Sequence, residues 1–247
     1  MKLMLITGAN GQIGSFLAHS YHSEGYLLVL LFHKRNDRLK SFENDSQCYL
    51  EAVDLTDFNA VQNAVTKASL HFGQSPEITI HCAANRSYDA KELAYSEPEV
   101  FNKVLGTNIF SAYNVLRASM PAMLDRQYGR IVMFGSEVSR TGLKKGSAYA
   151  AAKAAIVSMV QSIALETIGT NVTINAISPA PVDTNLEEDY KGDYLEFRRS
   201  YFANYLKNHP GAKLIDKAEI KQVVDLLISS ALHNLSGQEI FLTGGSF

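Results

Sequence analysis

Residues 3–25 read LMLITGANGQIGSFLAHSYHSEG, and their order decides the fold. LMLIT at 3–7 is a short apolar run, the pattern of a buried strand. Glycines follow at Gly8, Gly11 and Gly14, and a helical pattern begins inside the same turn. A glycine-rich turn between strand and helix lets the backbone approach a pyrophosphate, whose charge the helix N-terminus meets. Gly8, Asn10, Gly11, Gln12, Ile13 and Gly14 are therefore the candidate cradle. Asn10 stands where the fingerprint G-x-G-x-x-G has its second glycine, so a plain tight turn is the competing reading. Position favours the cradle, because the strand comes before it and the helix after it.

The same alternation continues along the chain. Apolar runs predict strands near 2–7, 27–32, 47–53, 78–83, 129–135, 172–178 and 238–242. Helical patterns fall near 12–24, 57–72, 98–127, 147–168 and 217–232. This is the signature of an α/β fold, a Rossmann-like doubly wound parallel sheet of about seven strands with helices on both faces. Neither an internal repeat nor a Pro/Ser-rich linker divides the chain, so 1–247 reads as one domain. Only 184–213 breaks the pattern. It is rich in tyrosine and charge, carries His209-Pro210-Gly211 near its end, and is long enough for a substrate lid. An ordinary surface helical hairpin is the alternative.

Composition limits the function. Of 247 residues, 46% are hydrophobic and the net charge is −2, which gives no electrostatic reason to expect nucleic acid or an anionic membrane. The two cysteines, Cys48 and Cys82, are isolated, which fits a reducing compartment. MKLMLITGANG would lose its phosphate loop if it were a cleaved signal, and no apolar stretch is expected to span a bilayer. A soluble cytoplasmic protein is the expectation. His19 and His22 lie one turn apart without a recognisable further ligand, so no metal site is expected.

SAYAAAK at 147–153 carries the chemistry. Tyr149 and Lys153 are four residues apart on an Ala-rich helical stretch, and both emerge on one face. A phenol has an unperturbed pKa of about 10, and an ammonium one turn away draws it toward neutrality, which suits proton transfer. Ser136, thirteen residues upstream at the end of RIVMF, adds a hydroxyl at a strand's C-terminal end. Together these groups can polarise a carbonyl or alcohol oxygen.

In these motifs the chain resembles the short-chain dehydrogenase/reductase family over essentially its whole length. TGANGQIG at 7–14, Asp54-Leu55, Asn108 in GTNIFSAYNVL, NAISPAPVDT at 175–184 and the ending SGQEIFLTGG complete the likeness. The glycine loop, T-G-x-x-G-x-x-G, is of the kind found in the family's longer "extended" branch. Length and the Ser136–Tyr149 spacing place the chain with the short branch of about 250 residues.

The resemblance implies hydride transfer between a nicotinamide and a ketone/secondary-alcohol pair, with Tyr149 as general acid/base. Ser136 would stabilise the substrate oxygen, Lys153 would tune Tyr149 and bind the nicotinamide ribose, and Asn108 would hold a relay water. Asp54 would bond the adenine, with the Leu55 backbone beside it; Asp54, Thr56 or Asp57 could also cap the next helix. HCAAN at 81–85 takes the place of the family's Asn-Asn-Ala-Gly, matching at Ala83 and nearly at Ala84, with Asn85 following. His81 and Cys82 depart from it and read as a hydrogen-bonded histidine and a buried filler. Pro179, Val182 and Thr184 would meet the nicotinamide end, with Ala180 replacing the usual glycine.

The second strand runs into His33-Lys34-Arg35 where an acid would select NAD(H), and two cations there favour NADP(H) over NAD(H). A sugar or nucleotide-sugar oxidoreductase or epimerase is the second enzymatic reading. A catalytically idle dinucleotide-binding regulatory or assembly protein is the third. Arg198-Arg199 in the lid read as an exposed cationic pair that could otherwise meet an anionic substrate, and Arg86 and Tyr88 lie nearer the expected substrate mouth. The helices at 98–127 and 147–168, with LTGGSF at the end, resemble the family's interfaces and imply a homodimer or homotetramer.

Overall fold

Seven strands form one sheet in the order β3-β2-β1-β4-β5-β6-β7, every neighbouring pair parallel. The computed structural model describes residues 1–208, 211 and 213–245. The strands are β1 (Leu3–Thr7), β2 (Leu27–Phe32), β3 (Cys48–Ala52), β4 (Ile78–His81), β5 (Gly129–Phe134), β6 (Val172–Pro179) and β7 (Glu239–Leu242). The helices are α1 (Gln12–Ser23), α2 (Phe58–Phe72), α3 (Pro98–Asp125), α4 (Val138–Thr141), α5 (Ser147–Glu166), α6 (Leu186–Asp189), α7 (Gly192–Asn208) and α8 (Lys217–Ile228). Each strand and helix expected from the sequence is present within a few residues. The largest difference is α8, which stops four residues early; β4, α3 and α5 each end two residues early.

Alternate residues of a strand face opposite ways, and both sides of this sheet are covered. In β1, Met4 and Ile6 join Leu17, Tyr21, Ile220 and Val224 beneath α1 and α8. Leu3 and Leu5 join Val61, Val65 and Val115 under α2 and α3. On that same second side, Ile131, Met133, Ile156 and Val160 pack β5 against α5. Local signals agree with the packing, since Asp57 caps α2 by accepting from the Ala60 amide and Asp216 with Glu219 closes a capping box on α8.

Two expectations change. α5 is 20 residues long and an 18-residue window of it has a mean hydropathy of 1.4, so by length and composition alone one helix could cross a membrane, contrary to the sequence reading. Its apolar character has another cause, because it lies between α3 and the sheet with Tyr149, Ala152, Lys153, Ile156 and Val160 buried. Among the described residues of 184–213, α6 and α7 form helix over most of the span. His209 and Pro210 of its expected turn, and Ser246-Phe247 of the expected C-terminal interface, lie outside the described residues.

The strand order reverses between β1 and β4. Side by side at that point, Thr7 pairs with His81, and the loops after the two strands diverge to opposite sides. Such a divergence opens a crevice beyond the carboxyl ends of the strands.

Candidate active site

A cavity of about 560 Å³ occupies that crevice. Its floor at one end is the Gly8–Gly14 turn. Gly8 has φ +65°, and a Cβ there would stand 2.6 Å from the Ala83 amide nitrogen. A Cβ on Gly14 would stand 2.4 Å from the Gly8 carbonyl oxygen. Only glycine allows the turn to close this tightly against β4's exit loop and leave the N-terminus of α1 open. The backbone is thus shaped for a pyrophosphate, and the cradle fits a dinucleotide.

Side chains around the cradle explain its unusual sequence. The Gln12 amide makes two bonds to the backbone of Asn185, donating to its carbonyl and accepting from its amide, both at 2.7 Å. It also donates to Asp189 at 2.8 Å. Asn10 accepts from the Arg38 amide at 2.9 Å and donates to Asp37 at 3.1 Å. Arg38 reaches on to Glu188 and Asp189 of α6. α6 is therefore strapped across the glycine turn.

At the other end, Tyr149 and Lys153 share the inner face of α5, with the ammonium 5.6 Å from the phenol ring centroid. Lys153 is 1% exposed and donates to the Phe134 carbonyl at 2.6 Å, which fixes it against the end of β5. Ser136 lines the same cavity as Tyr149 and helps to lower its pKa. Burial alone would raise the Tyr149 pKa, but Arg86, Lys153 and Arg198, with Ser136, outweigh it and carry it below the usual phenol value. Burial is also the main force lowering Lys153. Tyr149 and Lys153, both buried, can give or take one proton.

The short chain dehydrogenase family model matches residues 2–194. The chain belongs to that family. It is an oxidoreductase of a nicotinamide-dinucleotide-binding family. Over 248 residues it is 30% identical to the 3-oxoacyl-[acyl-carrier-protein] reductase MabA of Mycobacterium tuberculosis, covering 99% of this chain and 92% of that one. It is 25% identical to the 3-oxoacyl-[acyl-carrier-protein] reductase FabG of Escherichia coli, covering 100% and 97%. The crystal structure of levodione reductase superposes with a TM-score of 0.88 at 22% identity, covering 99% and 96%, and shares the fold.

As a short-chain dehydrogenase the chain places its motif residues unevenly. Asn10, Gln12, Ile13, His33, Lys34 and Arg35 line the cavity with the glycines, and Ala83, Ala84, Pro179, Val182 and Thr184 line it further along. Asp54, Leu55, Asn85 and Asn108 do not line it. Asp54 accepts from the amide and hydroxyl of Thr56, and the cap of α2 is Asp57. Asn108 is 1% exposed and clamps the Asn85 backbone, accepting at 3.0 Å and donating at 2.9 Å. Arg35 is bound to Asp37 at 3.0 Å and largely exposed. His81 is wholly buried beside Thr7 at 2.8 Å, and burial with the Lys153 charge lowers its pKa to about 3. Cys82 is only partly buried and lines the cavity, so it is not the fully buried filler expected, although burial still pushes its thiol up to about 12.

His22 has more company than the sequence reading gave it. Asp45 lies 2.8 Å away, and with Cys48 the three potential ligand atoms fall within 4.8 Å of one another.

α7 corrects one expectation outright. Arg198 and Arg199 are not an exposed pair, because neighbours on a helix point about 100° apart. Arg199 faces solvent and pairs with Glu187 and Glu196, whereas Arg198 is 5% exposed and lines the cavity. Its guanidinium carbon lies 5.5, 5.3 and 5.0 Å from the rings of Tyr190, Tyr201 and Phe202. Arg86 stacks its guanidinium 4.0 Å over the Tyr149 ring. Sequence reasoning put Arg86 near the mouth but gave no sign of this contact, which joins the loop after β4 to α5. A positional signal did exist in α7, where buried Tyr194, Arg198, Phe202 and Tyr205 recur at helical spacing.

Proposed function

We propose that this short-chain dehydrogenase is an NADP(H)-dependent reductase or dehydrogenase of a ketone/secondary-alcohol pair. The observation that carries the reading is Tyr149 beside Lys153 and Ser136 at the far end of a dinucleotide-shaped cleft, with neighbouring cations drawing its pKa below the usual phenol value. When bound, the nicotinamide supplies or accepts the hydride. Tyr149 donates a proton to the substrate oxygen in reduction and removes it in oxidation. Ser136 donates to the same oxygen as negative charge builds there, and Lys153 favours the phenolate.

The preference for NADP(H) is supported by the lack of an acid at the end of β2 and by Lys34, Arg35 and Arg38 on that wall of the cavity. Lys34 has no ion-pair partner among the described residues, so it is the cation most available to a 2′-phosphate. The strapped segment 184–213 acts as the substrate lid of a single-domain enzyme. Asn108 supports the proton path by holding the Asn85 loop. The chain works as a homodimer or homotetramer.

The test is a titration with NADPH and NADH followed by a carbonyl screen. NADPH binds more tightly, and Lys34→Ala loses roughly tenfold in NADPH affinity with little change for NADH, since charge-assisted hydrogen bonds contribute about 1.5–3 kcal/mol. Tyr149→Phe keeps dinucleotide affinity and loses turnover by a factor of roughly 100 or more. Equal binding of NADH would overturn the cofactor choice, and an active Tyr149→Phe the mechanism.

A further inference from the structure

Two guanidiniums converge on the reacting end of the cavity, and among the described residues neither is paired with a carboxylate. Arg198 is 5% exposed, its Nε finds no hydrogen-bond partner, and its neighbours are the faces of Tyr190, Tyr201 and Phe202. Arg86 rests on Tyr149 at 4.0 Å. Neither arginine makes an ion pair among the described residues. The acids that share the cavity wall are already engaged. Glu188 and Asp189 are taken by Arg38, and Glu137 accepts from the Tyr201 hydroxyl.

A cation withdrawn from water is ordinarily paired, because its lost hydration must be replaced. Aromatic faces replace part of it and leave the N–H edges free. The two charges also oppose each other, since burial and then Arg86 depress the pKa of Arg198. A protein that holds two like charges this way gains most when an anion arrives between them. The planar fork of arginine matches a carboxylate or a phosphate oxygen pair.

We propose that the substrate is an anionic ketone or alcohol whose carboxylate or phosphate is bound jointly by Arg86 and Arg198. Because Arg86 touches Tyr149, the anion sits a few bonds from the reacting carbon. This assignment rests on the reading of the cleft as a carbonyl/alcohol site, and it adds a substrate class to that reading.

The experiment uses the full chain saturated with its preferred reduced dinucleotide and two matched pairs of ketones. Acetoacetate is compared with methyl acetoacetate, and dihydroxyacetone phosphate with dihydroxyacetone. At least one anion exceeds its neutral partner in kcat/KM by roughly tenfold or more, as charge-assisted hydrogen bonds predict, and which pair does so separates carboxylate from phosphate. Arg198→Gln and Arg86→Gln bring that ratio close to one. Arg198→Lys, which keeps the charge without the fork, retains part of it, and thermal melts verify that each variant folds. Arg199→Gln leaves the ratio unchanged.

Calorimetry with malonate and with inorganic phosphate on the same saturated protein reads binding apart from turnover. Anion binding that needs Arg198 in a protein that reduces nothing would sustain the anion site and sink the reductase reading. Neutral ketones reduced as efficiently as both anions would keep that reading and overturn this one. So would an Arg86→Gln protein that loses dinucleotide affinity while its anion ratio stays intact.

Discussion

Tyr149 answers to three cations and a hydroxyl, and Arg86 precedes Lys153 in the strength of its pull. The consequence is visible in a pH profile. Alcohol oxidation needs the phenolate, so its rate rises with pH through the Tyr149 pKa. Removing the Arg86 charge disfavours the phenolate and raises that pKa, so Arg86→Gln shifts the rising limb of kcat for oxidation to higher pH. The falling limb of reduction, which needs the neutral phenol, moves up with it. A limb that stays in place would show that Arg86 takes no part in setting the acidity. Tyr149, Lys153 and Ser136 were legible because one helical turn and one strand end place them. The partners supplied by Arg86 and Arg198 were not, since they enter from the loop after β4 and from α7, and no local spacing records that meeting.

The strap from α6 to the glycine turn gives a reason for Gln12, where the family's short branch uses other spacing. Its amide reads the backbone of Asn185 in both directions, as one strand reads another. Gln12→Ala removes its two bonds to Asn185 and its bond to Asp189; at about 1 kcal/mol net each, dinucleotide release followed by stopped-flow fluorescence quickens roughly 100-fold. Unchanged release would mean that the strap closes nothing. Gly14→Ala tests the cradle itself. Its Cβ would lie 2.4 Å from a backbone oxygen that cannot swing aside, so stability falls by about 1–3 kcal/mol in a denaturant titration. The helices α1, α2, α3, α5 and α8 were readable from apolar periodicity. α7 was weaker as a pattern because its buried face carries phenols and an arginine instead of aliphatic side chains. α6 is a single turn whose cap, Asn185 accepting from the Glu187 amide, is an everyday loop motif in sequence.

The whole sheet was legible because strands covered on both faces read as continuous apolar runs, and LLVLLF and RIVMF leave little else to be. What the chain does beyond its own boundary depends on surfaces. α3 exposes Phe110 and Tyr113, three residues apart and more than half accessible, and α5 ends beside exposed Leu165 and Ile168. Those faces are where the proposed homodimer or homotetramer forms, and sedimentation gives a multiple of 27.2 kDa. Phe110→Asp lowers that multiple by burying a charge in the contact; a wild-type protein that sediments as a monomer at micromolar concentration defeats the proposal. One helix, α5, carries the reactive phenol and its ammonium on the inward side and runs on to that exposed end. Activity per chain is then tied to crowding, and turnover measured over a dilution series will fall as neighbours part, well before the polypeptide itself unravels.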